Sequence, residues 1–84
     1  MFNIYEKARE AQKYFDDNKL GCEVYPYDND LPVIVVSIHW GDWKHEHLRA
    51  DWLAEQKDWV YVKTQVTEEN GSDCYSANHY YIVR

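Results

Sequence analysis

The sequence predicts an α+β two-layer sandwich in the order αββαββ, with a four-stranded antiparallel sheet of strand order 1-2-4-3 and two helices on one face. Three observations predict it. Two stretches, Ile4–Asn18 and Trp43–Lys57, carry apolar residues at helical spacing, and each is followed by two short runs rich in β-branched and aromatic residues. Val33–His39 is almost uniformly apolar and so belongs in the middle of a sheet. The first and third strands carry the marks of an edge: Pro26 lacks the donor that an inner strand needs, and Lys63 puts a charge where a further strand would otherwise pair.

The first helix opens at Asn3, a good N-cap, with Glu6 at capping-box spacing, and its buried stripe is Ile4, Ala8, Ala11 and Phe15. Asn18 to Gly21 ends it. The first strand, Cys22–Tyr27, turns Cys22, Val24 and Pro26 to one side and Glu23, Tyr25 and Tyr27 to the other. Asp28 to Pro32 forms a turn into the second strand, Val33–His39. Asp42 caps the second helix, whose broad face is Trp43, His47, Ala50, Leu53 and Ala54, with Leu48 and Trp52 as an apolar patch nearly opposite. The third strand, Trp59–Val66, alternates Val60, Val62, Thr64 and Val66 against Trp59, Tyr61, Lys63 and Gln65. Asn70-Gly71 marks the turn to the fourth strand, Tyr75–Val83, whose two faces are too evenly balanced to tell which is buried.

A strand–helix–strand link makes strands two and three parallel. If they were neighbours the sheet centre would be parallel; with strand four between them every neighbour is antiparallel, and strands one and three take the edges. This is the split-βαβ, ferredoxin-like arrangement with its first strand moved to the end. It leaves one sheet face open, and places Tyr25, Tyr27, Val35, Ser37, His39, Tyr61 and Lys63 on it.

With 84 residues the chain has one core, and residues 1–84 form a single domain. Aromatic residues make up 17% of it, including four Trp and eight Tyr, which compensates for a small core because each buried ring removes much surface from water. The net charge of −6 is spread along the chain, which disfavours nucleic-acid phosphates and anionic membranes. Two cysteines are too few for a disulfide scaffold, and no apolar leader or membrane-length run is seen, so the expected setting is cytoplasmic with reduced thiols.

Chemistry-bearing residues gather at one end of the predicted sheet: His39, Asp42, His45 and Cys74 form a candidate polar site. His45 and His47 are two apart on a helix and point away from each other, so they do not make a helical metal pair, and neither a metal nor another cofactor is expected. Cys74 with His39 or His79 is a conceivable thiolate pair, but no nucleophile elbow, orienting third residue or glycine-rich oxyanion loop accompanies it, and no catalytic residue is assigned. Glu68 to Asp73 reads as a hairpin turn, not a calcium loop.

The segments Trp40–Leu53 and Thr67–Ser76 together resemble short uncharacterised bacterial proteins of gut anaerobes and their mobile elements. The resemblance covers about the second half of the chain and implies no activity. The residues themselves point to a small binding protein that works by protein–protein contact, with a partner protein or a second copy of itself, in the manner of an accessory protein or inhibitor. Its expected contact residues are Tyr25, Tyr27, Val35 and Tyr61 on the sheet and Leu48 and Trp52 on the helix. The alternative from another class is a small metal- or thiol-dependent enzyme at the His39–His47 and Cys74 end.

Overall fold

The computed structural model describes residues 3–39, 43–68 and 75–83; the side chains of residues 39, 43–47, 67–68 and 75 fall outside the description. The described elements are α1 (Ile4–Asp17), β1 (Glu23–Pro26), β2 (Val33–His39), α2 (Trp43–Gln56), β3 (Val60–Glu68) and β4 (Tyr75–Ile82). The strands lie in the order β1-β2-β4-β3, and every neighbouring pair is antiparallel. The expected order of strands is therefore the observed one, and strand β2 is central as its composition requires.

Asn3 caps α1 by accepting from the backbone N–H groups of Tyr5 at 3.0 Å and Glu6 at 3.3 Å. The stripe Ile4, Ala8, Ala11 and Phe15 is buried. On α2 the buried residues include Ala50, Leu53 and Ala54, while Leu48 and Trp52 are turned to solvent. Both helices leave by the same joint. The N–H of Leu20 bonds to Phe15 O and that of Lys19 to Asp16 O; in α2 the N–H of Trp59 bonds to Ala54 O and that of Asp58 to Glu55 O. Each is the paired hydrogen-bond pattern that closes a helix through one left-handed residue, here Lys19 (φ 60°) and Asp58 (φ 58°) where glycine is the usual occupant. The residue after each, Leu20 or Trp59, folds back against the core.

Both helices lie on one face of the sheet. That face presents Ile34, Val36 and Ile38 of β2 and Tyr81 and Val83 at the β4 end, which form one cluster with the buried stripes of α1 and α2. The face of β4 that the sequence leaves open is thus decided: Ala77, His79, Tyr81 and Val83 are buried. The decision follows from register, since Ile34, Val36 and Ile38 stand opposite Tyr81, His79 and Ala77 and share their side.

The third strand departs from the expected alternation. Tyr61 pairs with Tyr81 and Lys63 with Tyr80, so Val62 is an extra residue in a β-bulge. Tyr61 therefore lies on the helix side with Tyr81, and only Lys63 reaches the open face. The expectation that both lie on the open face is corrected by this one inserted residue.

The two edges of the sheet are treated differently. Along β1, the side chain of Gln12 in α1 accepts from Val24 N–H at 2.8 Å and donates to Cys22 O at 3.1 Å. It occupies the outward bonds that a further strand would take. Val24 and Pro26 have the same parity, so the next outward donor position is the nitrogen that Pro26 leaves without a hydrogen. Edge β1 is closed by these two residues.

Gln12→Ala is expected to lower stability by about 1–2 kcal/mol, because it removes two half-buried bonds to β1 at once; chemical denaturation measures it. Asp58→Gly is expected to raise stability by about 1 kcal/mol by relieving the left-handed backbone, and the same assay reads it.

Candidate functional site

Burying the inward face of β4 brings polar groups into the core. The Tyr81 hydroxyl donates to Asp51 Oδ1 of α2 at 2.5 Å. His79, fully buried, stacks on the Tyr81 ring, and its Nδ1 lies 3.1 Å from Thr64 Oγ1 and 4.0 Å from Asp51 Oδ1. Thr64 Oγ1 in turn lies 2.6 Å from the Tyr61 hydroxyl. The result is a row of polar groups from α2 through β4 to β3, running under the helix. Burial, then the hydrogen bond and charge of Asp51, hold the Tyr81 hydroxyl far above its ordinary pKa.

This row borders a cleft of about 320 Å³ between the last turns of α2 and the start of β3, lined among the described residues by Asp51, Ala54, Glu55, Trp59, Tyr61 and Tyr81. Asp51 and Glu55 are one helical turn apart and face β3, with the small Ala54 between them leaving room. Trp59 and Tyr61 precede the bulge, and both line the cleft.

Next to the cleft lies an exposed apolar surface. Val60, Tyr61, Val62 and Val66 of β3 are 42%, 49%, 47% and 52% exposed, and on α2 Leu48 is 67% and Trp52 59% exposed. Helix α2 covers β2, β4 and β3, whereas α1 covers β1 and β2. By register Tyr61 and Val66, opposite Tyr81 and Ala77, share the helix side, while Val60, opposite Ile82, looks to the open face.

The expected contact residues divide between two surfaces. Tyr25 and Tyr27 are exposed on the open sheet face, where the Tyr27 ring meets Tyr80 edge-on and Lys63 Nζ lies 4.9 Å from the Tyr80 ring centre. Val35 is on that face by register but is only 2% exposed. It is a short side chain on a central strand with Tyr25 opposite it on β1 and Tyr80 opposite it on β4, and these walls leave it nothing to offer a partner. Tyr61 is exposed, but on the helix side. Leu48 and Trp52 stand out from α2 as expected. Of the candidate polar site, Asp42 and Cys74 lie outside the described residues, as do the side chains of His39 and His45; the backbone of His39 pairs with Ser76. Among the described residues no group of three or more His, Cys, Asp and Glu could hold a metal ion.

The row Asp51–Tyr81–His79–Thr64 was not singled out by sequence reasoning. The one signal for it, polar residues at alternate positions of strand four, becomes readable only when the buried face of that strand is known. No protein family, curated protein or solved structure matches the chain.

The fold keeps the Tyr81 proton at pH values where the unfolded chain gives it up. Above the ordinary tyrosine value of 10.0 the unfolded state binds fewer protons than the folded one, so stability present below pH 10 is lost as pH rises. The expected slope from this group is about 1.4 kcal/mol per pH unit. Denaturation between neutral and strongly alkaline pH measures it, and Tyr81→Phe should flatten the dependence.

Proposed function

We propose that the protein is a small interaction domain that binds another polypeptide along the β3 edge, by adding a strand to its sheet. The observation that carries this is the contrast between the two edges. Strand β1 is closed by Gln12 and Pro26, while the nine-residue β3 carries four exposed large apolar side chains, two of which, Tyr61 and Val66, are on the helix side that also exposes Leu48 and Trp52. An exposed apolar edge invites pairing, and proteins that do not use such an edge shield it. The bulge at Val62 and the charge of Lys63 blunt the first half of this edge, so the added strand pairs along the part of β3 that follows them, around Val66.

Among the described residues no helix is long and apolar enough to cross a membrane, and binding in the cytoplasm suits the sparse cysteines. An accessory protein or inhibitor, which acts by contact alone, is the kind of role this reading fits. Tyr25 and Tyr27 are assigned to stabilising the open sheet face, since Tyr27 and Tyr80 already pack on each other.

The first partner to test is a second copy of the chain. Light scattering behind size exclusion, over a hundredfold range of concentration, is expected to give a dimer that Val66→Lys returns to monomer. A monomer throughout removes self-pairing. If, in addition, extended peptides selected against the protein by display leave the β3 amide resonances unmoved, the reading is overturned.

A further inference from the structure

Among the described residues, three aromatic surfaces stand near charged side chains. Lys57 Nζ lies 4.6 Å from the Tyr14 ring centre, and Lys63 Nζ lies 4.9 Å from that of Tyr80. On both, the protein's own lysine already sits over the ring. The third surface is the cleft between α2 and β3. Its walls hold Trp59, Tyr61 and Tyr81 together with the carboxylates of Asp51 and Glu55, and no lysine, arginine or histidine lines it among the described residues. The Tyr61 and Tyr81 rings meet edge to face at 6.0 Å, so they form a corner and not a flat stack. Trp59 is held from behind by Phe15 and Tyr14, each with its ring centre 5.9 Å away, which fixes the indole as one rigid wall.

We infer that this cleft binds an alkylammonium cation, seated against Trp59 and Tyr61, with Glu55 and Asp51 supplying the opposite charge. An aromatic ring attracts a cation through the negative potential over its face, and the attraction grows as water is removed from the site. The charge of Asp51 is already felt inside the cleft, since it helps to hold the proton on Tyr81. Because Asp51 also accepts the Tyr81 hydroxyl, its part is a fixed negative field, and Glu55, exposed at the rim, is the carboxylate that approaches the ligand. The volume of about 320 Å³ is near the lower end for small-molecule sites and suits a compact methylated ammonium or the end of a lysine side chain. The inference shares Tyr61 with the β3 edge proposed for strand addition but otherwise stands on Trp59 and on side chains of α2, and choline binding is read without any added strand.

The probes are choline, its uncharged isostere 3,3-dimethylbutan-1-ol, and N-acetyl-lysine methylamide, each titrated into the intact protein and followed by the indole N–H resonance of Trp59. Choline is expected to shift that resonance saturably, and the uncharged isostere is expected to bind roughly three- to thirtyfold more weakly, which is the range a cation–π contribution spans. Glu55→Gln, a substitution at an exposed position, should weaken choline with little effect on the isostere, and Tyr61→Ile should weaken both. Saturation by the lysine amide as well as choline identifies a side chain of a partner as an eligible source of the cation; saturation by choline alone identifies a free quaternary ammonium. Equal binding of choline and its isostere, or no response to any of the three with the folded spectrum intact, overturns the assignment.

Discussion

The hydroxyl of Tyr81 lies at the end of a buried side chain and donates to Asp51, and the arrangement of the α2 side follows from the need to satisfy it. A phenol buried without a partner costs about 1–3 kcal/mol, a sizeable part of the margin of so small a core. Asp51 must therefore lie on the flank of α2 that looks toward β3, which fixes the rotation of the helix about its axis. With that rotation Ala50, Leu53 and Ala54 meet the sheet, and Leu48 and Trp52 are left outside. Arg49, on the opposite flank, reaches Asn18 O of α1 at 2.5 Å, and Tyr14 of α1 donates to Leu53 O at 2.9 Å, so the two helices are tied together in the same setting.

The polar row beneath α2 extends this constraint to the sheet. His79 cannot be withdrawn from the core, because the strand period that buries Tyr81 buries it as well. Thr64 supplies an oxygen to it, and Thr64 can do so because the bulge at Val62 has shifted the parity of β3. One local irregularity thus serves a buried imidazole on one strand and places an aromatic ring at the mouth of a cleft on another.

Much of the fold is legible in the sequence because it rests on period and on single-residue rules. The stripe Ile4, Ala8, Ala11 and Phe15, the Asn3 cap, the uniform β2 and the edge-marking Pro26 each act locally, and together they leave the order 1-2-4-3 as the arrangement that satisfies them all. What escapes is decided by partners far along the chain. The face of β4 depends on register with Ile34, Val36 and Ile38. The bulge is invisible because Val60, Val62, Thr64 and Val66 make an unbroken alternation on paper. The burial of Val35 depends on tyrosines from two neighbouring strands, and the closure of β1 by Gln12 depends on a helix passing beside it. Of the contact surface, Leu48 and Trp52 are readable as apolar residues on the wrong side of a helix, whereas Asp51, Glu55 and Tyr81 come together only in three dimensions.

The bulge also makes β3 unlike its neighbours as a piece of chain. It holds one residue more than its partner strand needs, so its length and its pairing are partly uncoupled. Loss of Val62 from the chain leaves Tyr61 on the cleft side opposite Tyr81 and Lys63 on the open face opposite Tyr80. The same loss within β4 would exchange Tyr81 for Tyr80 in the core. Strand β3 is thus a place where the loss of one residue, the bulged one, is absorbed without a change of face, while the rest of the sheet is held to a fixed count.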